Sequence, residues 1–284
     1  RAAAAWIDIA PDPVAGEARA ADGPIEVAGW SVSIDPRSGG VVEILSPAGL
    51  GLKGRAGSLF DYRYESYDAS DVQRHLDSYL TRRPDWAILD PDRPGLDKAL
   101  TAVSAAWQPK LLSVIRSEHQ IGILAEMPAD AVRQLGAPHK VELILRPENE
   151  QQLSLSIILR EKPANRMPEA SFLSFSPEGA IDWRYRKMGA WQDPRRTARR
   201  GGGQLQAVEA VSTSLGDRVR ICLTTLDAPL VAPLEWPFMM FSHLPPDLSA
   251  GIRFNLHNNK WATNFPMWWS GTLVARFMVE LKSN

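Results

Sequence analysis

Apolar and polar residues alternate through most of this chain with the period of two that sends successive side chains to opposite faces of a β-strand. PIEVAGWSVSID (24–35) is one such stretch; Pro36-Arg-Ser-Gly-Gly40 and VVEILSP follow it. The combination reads as strand, turn, strand, with Gly supplied where positive φ is needed. TAVSAAW, KLLSVIRSE and IGILAEMP succeed one another between 101 and 128. KVELILRP (140–147) and QQLSLSIILREKP (151–163) flank Glu148-Asn-Glu150, a natural tight turn. ASFLSFSP, IDWRYRKMG, AVEAVSTSLG, RVRICLTTLD, IRFNLH and LVARFMVEL continue the series.

The period changes clearly in one place. In DASDVQRHLDSYLTRR the residues Val72, His75, Leu76, Tyr79 and Leu80 recur at i, i+3, i+4, i+7 and i+8, which predicts a helix near 70–82. Ser70 and Gln73 form a capping box at its start, and Pro84 ends it. His75 lies on the apolar stripe and is expected to be packed. The triplet His75-Leu-Asp77 is no metal pair, because residues two apart on a helix do not face each other. Many strands with short Gly/Pro/Asn turns and few helices predict an all-β fold, a large antiparallel sandwich with one main short helix. Residues 1–23, rich in Ala, read as a linker or an incompletely paired edge, leaving 24–284 as one β-sandwich domain. The start, Arg1-Ala-Ala-Ala-Ala-Trp6, has no Met and no signal peptide, so the expectation is that the chain begins inside a longer reading frame. That leaves bacterial cytoplasm and periplasm both open.

Composition narrows the partners. The chain has 284 residues, a formal net charge of −1 and 44% hydrophobic residues, enough to build a sizeable core. Near-neutral charge gives no reason to expect nucleic acid, and no apolar run approaches the roughly 20 residues that span a bilayer. The single cysteine, Cys222, reads as a small core residue on a strand.

Candidate chemistry is sparse. The cluster Arg195, Arg196, Arg199 and Arg200 precedes Gly201-Gly-Gly203 and could cradle a phosphate, but no strand–Gly–helix context surrounds it, and a solvated loop is the plainer reading. The histidines, His75, His119, His139, His243 and His257, show no zinc-like spacing, so no metal or cofactor is expected within this chain. No G-x-S-x-G elbow is present. With 33 acidic residues, a glycosidase pair cannot be chosen from sequence.

The exception is FNLHNNKWATNFPMWW (254–269), too irregular for a full strand and too rich in Asn and Pro for a helix. Amides donate and accept together, and indoles offer broad apolar faces with one N–H, so the segment suits polyol recognition. Asn255, His257, Asn258, Asn259, Lys260, Trp261 and Asn264 are the expected substrate-binding residues, with Thr263, Trp268 and Trp269 beside them. The plainer alternative is that the Asn residues shape turns and the Trp residues are core. The expected geometry is a strand ending at Asn255 and an ordered loop over 257–265, anchored by Phe265 and at least one of Trp268 and Trp269, with Trp261 partly exposed.

DLSAGIRFNLHNNKWATNFPMWW, with the strand LVARFMVEL after it, resembles the C-terminal end of alpha-mannosidase-like glycoside hydrolases of the family 38 type, more narrowly a bacterial branch of that family. GWSVSIDPRSGGVVEIL, LFDYRYESYDASDVQRHLDSYL and IDWRYRKMGAWQDP resemble successive segments of the same domain. The resemblance implies a galactose-mutarotase-like super-sandwich. It implies that catalysis, with zinc or another divalent metal, belongs to an N-terminal domain absent from this chain, which would be this chain's partner, and that carbohydrate is the ligand. Gln206 departs from the pattern, standing where the resemblance implies His. A mutarotase-type enzyme would instead need a His acid and a Glu base in one groove. His119 or His139 with Glu118 or Glu142 are the local pairings, and a non-catalytic sugar-binding or structural module is a third reading.

Overall fold

The computed structural model describes residues 11–82, 93, 95–260 and 267–283. In chain order its first elements are β1 (Glu17–Arg19), β2 (Ile25–Val27), β3 (Trp30–Ile34), β4 (Val41–Leu45), β5 (Gly51–Lys53), β6 (Tyr62–Ser66) and the helix α1 (Ala69–Tyr79). They are followed by β7 (Ala105–Trp107), β8 (Lys110–Arg116), β9 (Ile121–Glu126), the helix α2 (Ala129–Leu135), β10 (Lys140–Pro147), β11 (Gln152–Lys162), β12 (Glu169–Phe175) and β13 (Ala180–Lys187). The last are β14 (Ala190–Gln192), β15 (Gln206–Ala207), β16 (Ala210–Leu215), β17 (Val219–Thr225), β18 (Leu230–Pro233), β19 (Ile252–Asn258) and β20 (Gly271–Ser283).

Three antiparallel sheets result among the described residues. One has ten strands in the order β1-β8-β9-β10-β11-β20-β17-β16-β13-β14, one has six in the order β15-β18-β19-β12-β6-β7, and one has four, β2-β3-β4-β5. The large antiparallel all-β sandwich expected from the alternation is the observed fold. Its inner faces carry the alternating apolar residues. On β11, Leu153, Leu155, Ile157 and Leu159 point into one core with Tyr62 and Tyr64 of β6 and Ile252 and Phe254 of β19. Phe254 meets Phe277 edge-on, ring centroids 5.0 Å apart. Each fully buried side chain of this size contributes roughly 1.5–3 kcal/mol.

Four local readings need correction. The stretch 24–35 is not one strand: Ala28 and Gly29 both take positive φ (45° and 81°), and β2 folds back on β3 with Val27 opposite Trp30. A two-residue turn of this hand suits strand twist, and alternation runs through it unbroken. The capping box of α1 is Asp68 with Asp71, not Ser70 with Gln73: the Asp68 carboxylate accepts from the backbone N–H groups of Ser70 and Asp71, and Asp71 accepts from that of Asp68. A second helix, α2, was hidden by its length of seven residues; Ala131, Val132 and Leu135 anchor it and Gly136, at φ 79°, ends it. Finally, the strand carrying Asn255 runs on to Asn258 through a bulge opposite Ser171 and Phe172. Cys222 is on a strand as expected, but half-buried, on the face opposite Ile221 and Leu223.

What positions the site is the outer face of the six-stranded sheet. Phe172 and Ala170 of β12 point there and are partly covered by Val72 and Leu76 of α1 and by Phe238 and Met239. His75 is buried in that interface, stacked on Tyr79 at 5.5 Å with its Nδ1 unpartnered among the described atoms. The helix stops short of covering the whole face. Among the described residues, no helix is long and apolar enough to cross a membrane.

Candidate functional site

Beside the first turns of α1, at Asp71 and Arg74, the uncovered part of this outer face forms an open groove of about 700 Å³. Its floor is polar because strand alternation puts Arg63 and Glu65 of β6, Ser174 of β12 and Arg253 of β19 outward while their neighbours face the core. One wall is the segment Leu234–Met239 with Trp236; the opposite side is Ser104–Ala106 and Gln108.

Arg253 organises the floor. One guanidinium nitrogen donates to Glu65 Oε1 at 2.5 Å and the other to the Trp236 carbonyl at 2.5 Å, while the plane lies 4.1 Å from the Phe172 ring centroid. This buried arginine therefore ties the wall to the sheet. Glu65 also accepts from the Tyr67 hydroxyl at 2.6 Å and lies 3.2 Å from Arg63 Nε. Its lone pairs are taken up, so it is an anchor and not a free base. Arg63 is half exposed and offers donors to the groove.

Asp61 lies further along the same edge. Burial, with Asp35 nearby, pushes its carboxyl up to about 6; Oδ2 accepts from Gln108 at 2.5 Å and the buried Oδ1 has no partner among the described atoms. Asp61 and Glu65 are four residues apart on extended chain, about 13 Å at roughly 3.3 Å per residue. Paired glycosidase carboxyls sit about 5–9.5 Å apart, so these two are not such a pair. The groove can hydrogen-bond hydroxyl groups and pack an apolar face on its aromatic wall.

The residues singled out from sequence stand beside this groove, at the end of β19. Asn255 Nδ2 donates to the backbone carbonyls of Ser171 (3.2 Å) and His257 (3.0 Å), and its Oδ1 accepts from Asn258 Nδ2 at 2.6 Å. Asn258 Oδ1 in turn accepts from the Lys260 N–H. Asn259 accepts from the Glu169 N–H at 2.7 Å and donates to the Met167 carbonyl at 2.7 Å. Lys260 Nζ donates to the Phe238 carbonyl at 2.7 Å, joining the turn to the groove wall; burial lowers its ammonium to about 8. His257 Nε2 lies 2.6 Å from Ser171 Oγ, itself 2.9 Å from the Tyr62 hydroxyl, and burial holds the imidazole far below its usual range and therefore neutral. Trp269 meets His257 edge-on at 5.4 Å, and exposed Trp268 stacks on Arg166 at 4.1 Å. Trp261, Thr263, Asn264 and Phe265 lie outside the described residues.

The mutarotase pairings are not brought into the groove. His119 and Glu118 sit at the exposed tip between β8 and β9, 3.7 Å apart, and Glu142 is taken by Arg160 at 2.5 Å. The groove's own polar residues, Arg63, Glu65 and Arg253, were not singled out from sequence. The signal available was YRYES and IRFN, strands with charges at alternate positions, but alternation alone does not say which outer face is concave.

Residues 12–154, half of the chain, match the family model described as "Domain of unknown function (DUF5054)", and the chain belongs to that family. No curated protein matches it by sequence. Among solved structures, an alpha-mannosidase from Enterococcus faecalis V583 aligns with 95% of this chain and 30% of its own, at TM-score 0.55 and 9% identity. A putative aldose 1-epimerase from Escherichia coli K12 aligns with 92% of this chain and 99% of its own (TM-score 0.47, 8% identity). A galactose mutarotase-like protein from Lactobacillus casei ATCC 334 aligns with 91% and 99% (TM-score 0.48, 9% identity). What the chain shares with the mannosidase at this identity is the fold, and it spans about a third of that enzyme's length.

Proposed function

We propose that this chain is the C-terminal β-sandwich portion of a carbohydrate-active glycoside hydrolase of the alpha-mannosidase-like kind. In this reading it packs on an N-terminal catalytic domain of the same polypeptide and binds carbohydrate along the groove, with residues 255–260 on its border. The observation that carries the reading is the groove itself, where Arg63 and Gln108 present polar groups opposite the aromatic wall at Trp236. Such a mixture of a few fixed polar groups and an aromatic surface is what a sugar ring requires. The sandwich likeness to the alpha-mannosidase supports the reading. The lining of Trp236 with Asp61, Glu65, Asp71 and Glu235 is what a mutarotase-type enzyme would also have, but no histidine that could serve as its acid is among the described groove residues.

The test is titration of the chain with α-mannotriose and with galactose and glucose oligomers, followed calorimetrically. Saturable binding is expected, weakened about tenfold in Arg63→Ala, whose half-exposed side chain can be removed without disturbing the core. Aryl α-mannosides should not be hydrolysed by the chain alone. Failure of every neutral oligomer to bind the folded chain would overturn the proposal, as would turnover abolished by one substitution within it.

A further inference from the structure

At the far edge of the ten-stranded sheet, away from the groove's strands, β13 and β14 form a hairpin closed by Met188 and Gly189, both at positive φ (50° and 78°). Between Asp182 and Arg200 the sequence carries seven cationic residues and two acidic ones, in a chain whose net charge is −1. A cleft of about 340 Å³ opens beside the hairpin, lined by Arg184, Trp191, Gln192, Asp193 and Arg196. That volume lies at the low end of small-ligand sites, roughly 300–1,000 Å³.

The charges in and around the cleft are not equivalent. Arg195 grips Asp193 through two bonds of 2.9 and 3.0 Å, which holds that carboxyl down at about 2. Arg184 pairs with Asp182 at 2.6 Å, and Arg186 lies 3.3 Å from Glu209. Arg196, Arg199 and Arg200 have no acidic partner among the described residues, so the surplus positive charge sits on this loop. Beside it Trp191 is 46% exposed, an unusual state for the largest apolar residue.

The loop is also held in place. Gln206, buried at the foot of the loop, donates to the carbonyls of Pro194 and Gly203 at 3.0 Å each and accepts from Lys187 Nζ. Gly202 and Gly203 lie so close to Phe241 and Pro246 that a β-carbon would sit 2.7 and 2.9 Å from them. The glycine run thus lets the loop pack down on the 241–246 segment, and the polar residue that departs from the family resemblance supplies its fastening.

We propose that this cleft is a second binding site, for an acidic saccharide unit, taking the ring's apolar face on Trp191 and its carboxylate or sulfate on Arg196. A planar guanidinium forks onto either anion, an indole accepts the C–H face of a pyranose, and the remaining arginines draw the anion in from solution. An acidic polypeptide would satisfy the arginines equally well, but it has no use for a single half-exposed indole in a cleft of one-ring scale. The proposal does not rest on the groove.

The experiment titrates the chain with trigalacturonate, a sulfated disaccharide, neutral galactotriose and a ten-residue poly-glutamate peptide at two salt concentrations. Trigalacturonate or the sulfated sugar should bind at least tenfold tighter than galactotriose, and preference between the two identifies the anion. Trp191→Ala and Arg196→Ala should each weaken that binding about five- to tenfold with the unfolding midpoint unchanged, while Arg63→Ala leaves it intact. Arg196→Lys should recover part of the loss. Equal binding of neutral and acidic sugars, binding indifferent to Trp191, equal loss on changing an arginine outside the cleft lining (Arg218→Ala, in the exposed turn between β16 and β17), or peptide binding as tight as sugar binding would each overturn it.

Discussion

Glu169 and Lys162 form an ion pair whose side chains are 1% and 0% exposed, with Nζ and Oε1 2.7 Å apart. Glu169 also accepts from the Tyr64 hydroxyl, and Lys162 donates to the Pro163 carbonyl and lies 5.3 Å from the Trp269 ring centre. Burial pushes the carboxyl up and the ammonium down, and their contact opposes both shifts. Removing one partner strands the other, at about 3–5 kcal/mol. Lys162→Met should therefore destabilise strongly, and by an amount that depends on pH. Without the ammonium, the folded-state pKa of Glu169 rises further above the unfolded value, so the native state binds more protons than the unfolded one above about pH 4.5. Stability then falls as pH rises, by up to about 1.4 kcal/mol per unit until the folded pKa is passed. Urea unfolding at pH 5 and pH 7 measures this: the deficit of Lys162→Met against the parent should be larger at pH 7. Replacing both residues, Lys162→Met with Glu169→Leu, leaves no stranded charge and should recover most of the loss, a coupling of about 2 kcal/mol or more. A pH-independent deficit below about 1 kcal/mol, or additive effects in the double variant, would refute the reasoning.

Asp61, whose carboxyl is raised to about 6 by burial, should cost stability as pH rises from about 4 to 6, because its charged form is the disfavoured one when folded. Asp61→Asn should stabilise by up to about 3 kcal/mol at pH 7 and little at pH 4, and equal effects at both pH values would refute this. His75 behaves in the opposite sense. Burial, with Lys260 nearby, lowers it to about 4, so its contribution is intact above about pH 6.5 and is lost as pH falls toward 4. His75→Leu should therefore gain about 2 kcal/mol relative to the parent at pH 5 compared with pH 8, read from chemical denaturation; no difference between the two pH values would refute it.

The class of fold was legible in the sequence because alternation has one physical cause, a strand with one buried face. QLSLSIILREK could hardly be anything else, and α1 announced itself through five apolar positions at helical spacing. Boundaries were less legible. The Ala28–Gly29 turn leaves the alternation unbroken, and Asp68 and Asp71 cap α1 as well as Ser and Gln would. The cluster 255–260 was visible as a concentration of amides, and some of its bonds are local, Asn255 with Asn258 and Asn258 with Lys260, but the others were not legible, since Ser171, Glu169, Met167 and Phe238 are supplied from elsewhere in the chain. The groove was hardest to see. Arg63 and Arg253 are 190 positions apart and become one floor only because β6 and β19 both pair with β12. Sequence determines which face of each strand is polar; only the order of strands in the sheet, set by long-range packing, decides which polar faces meet, and only the incomplete cover of α1 leaves them open to a ligand.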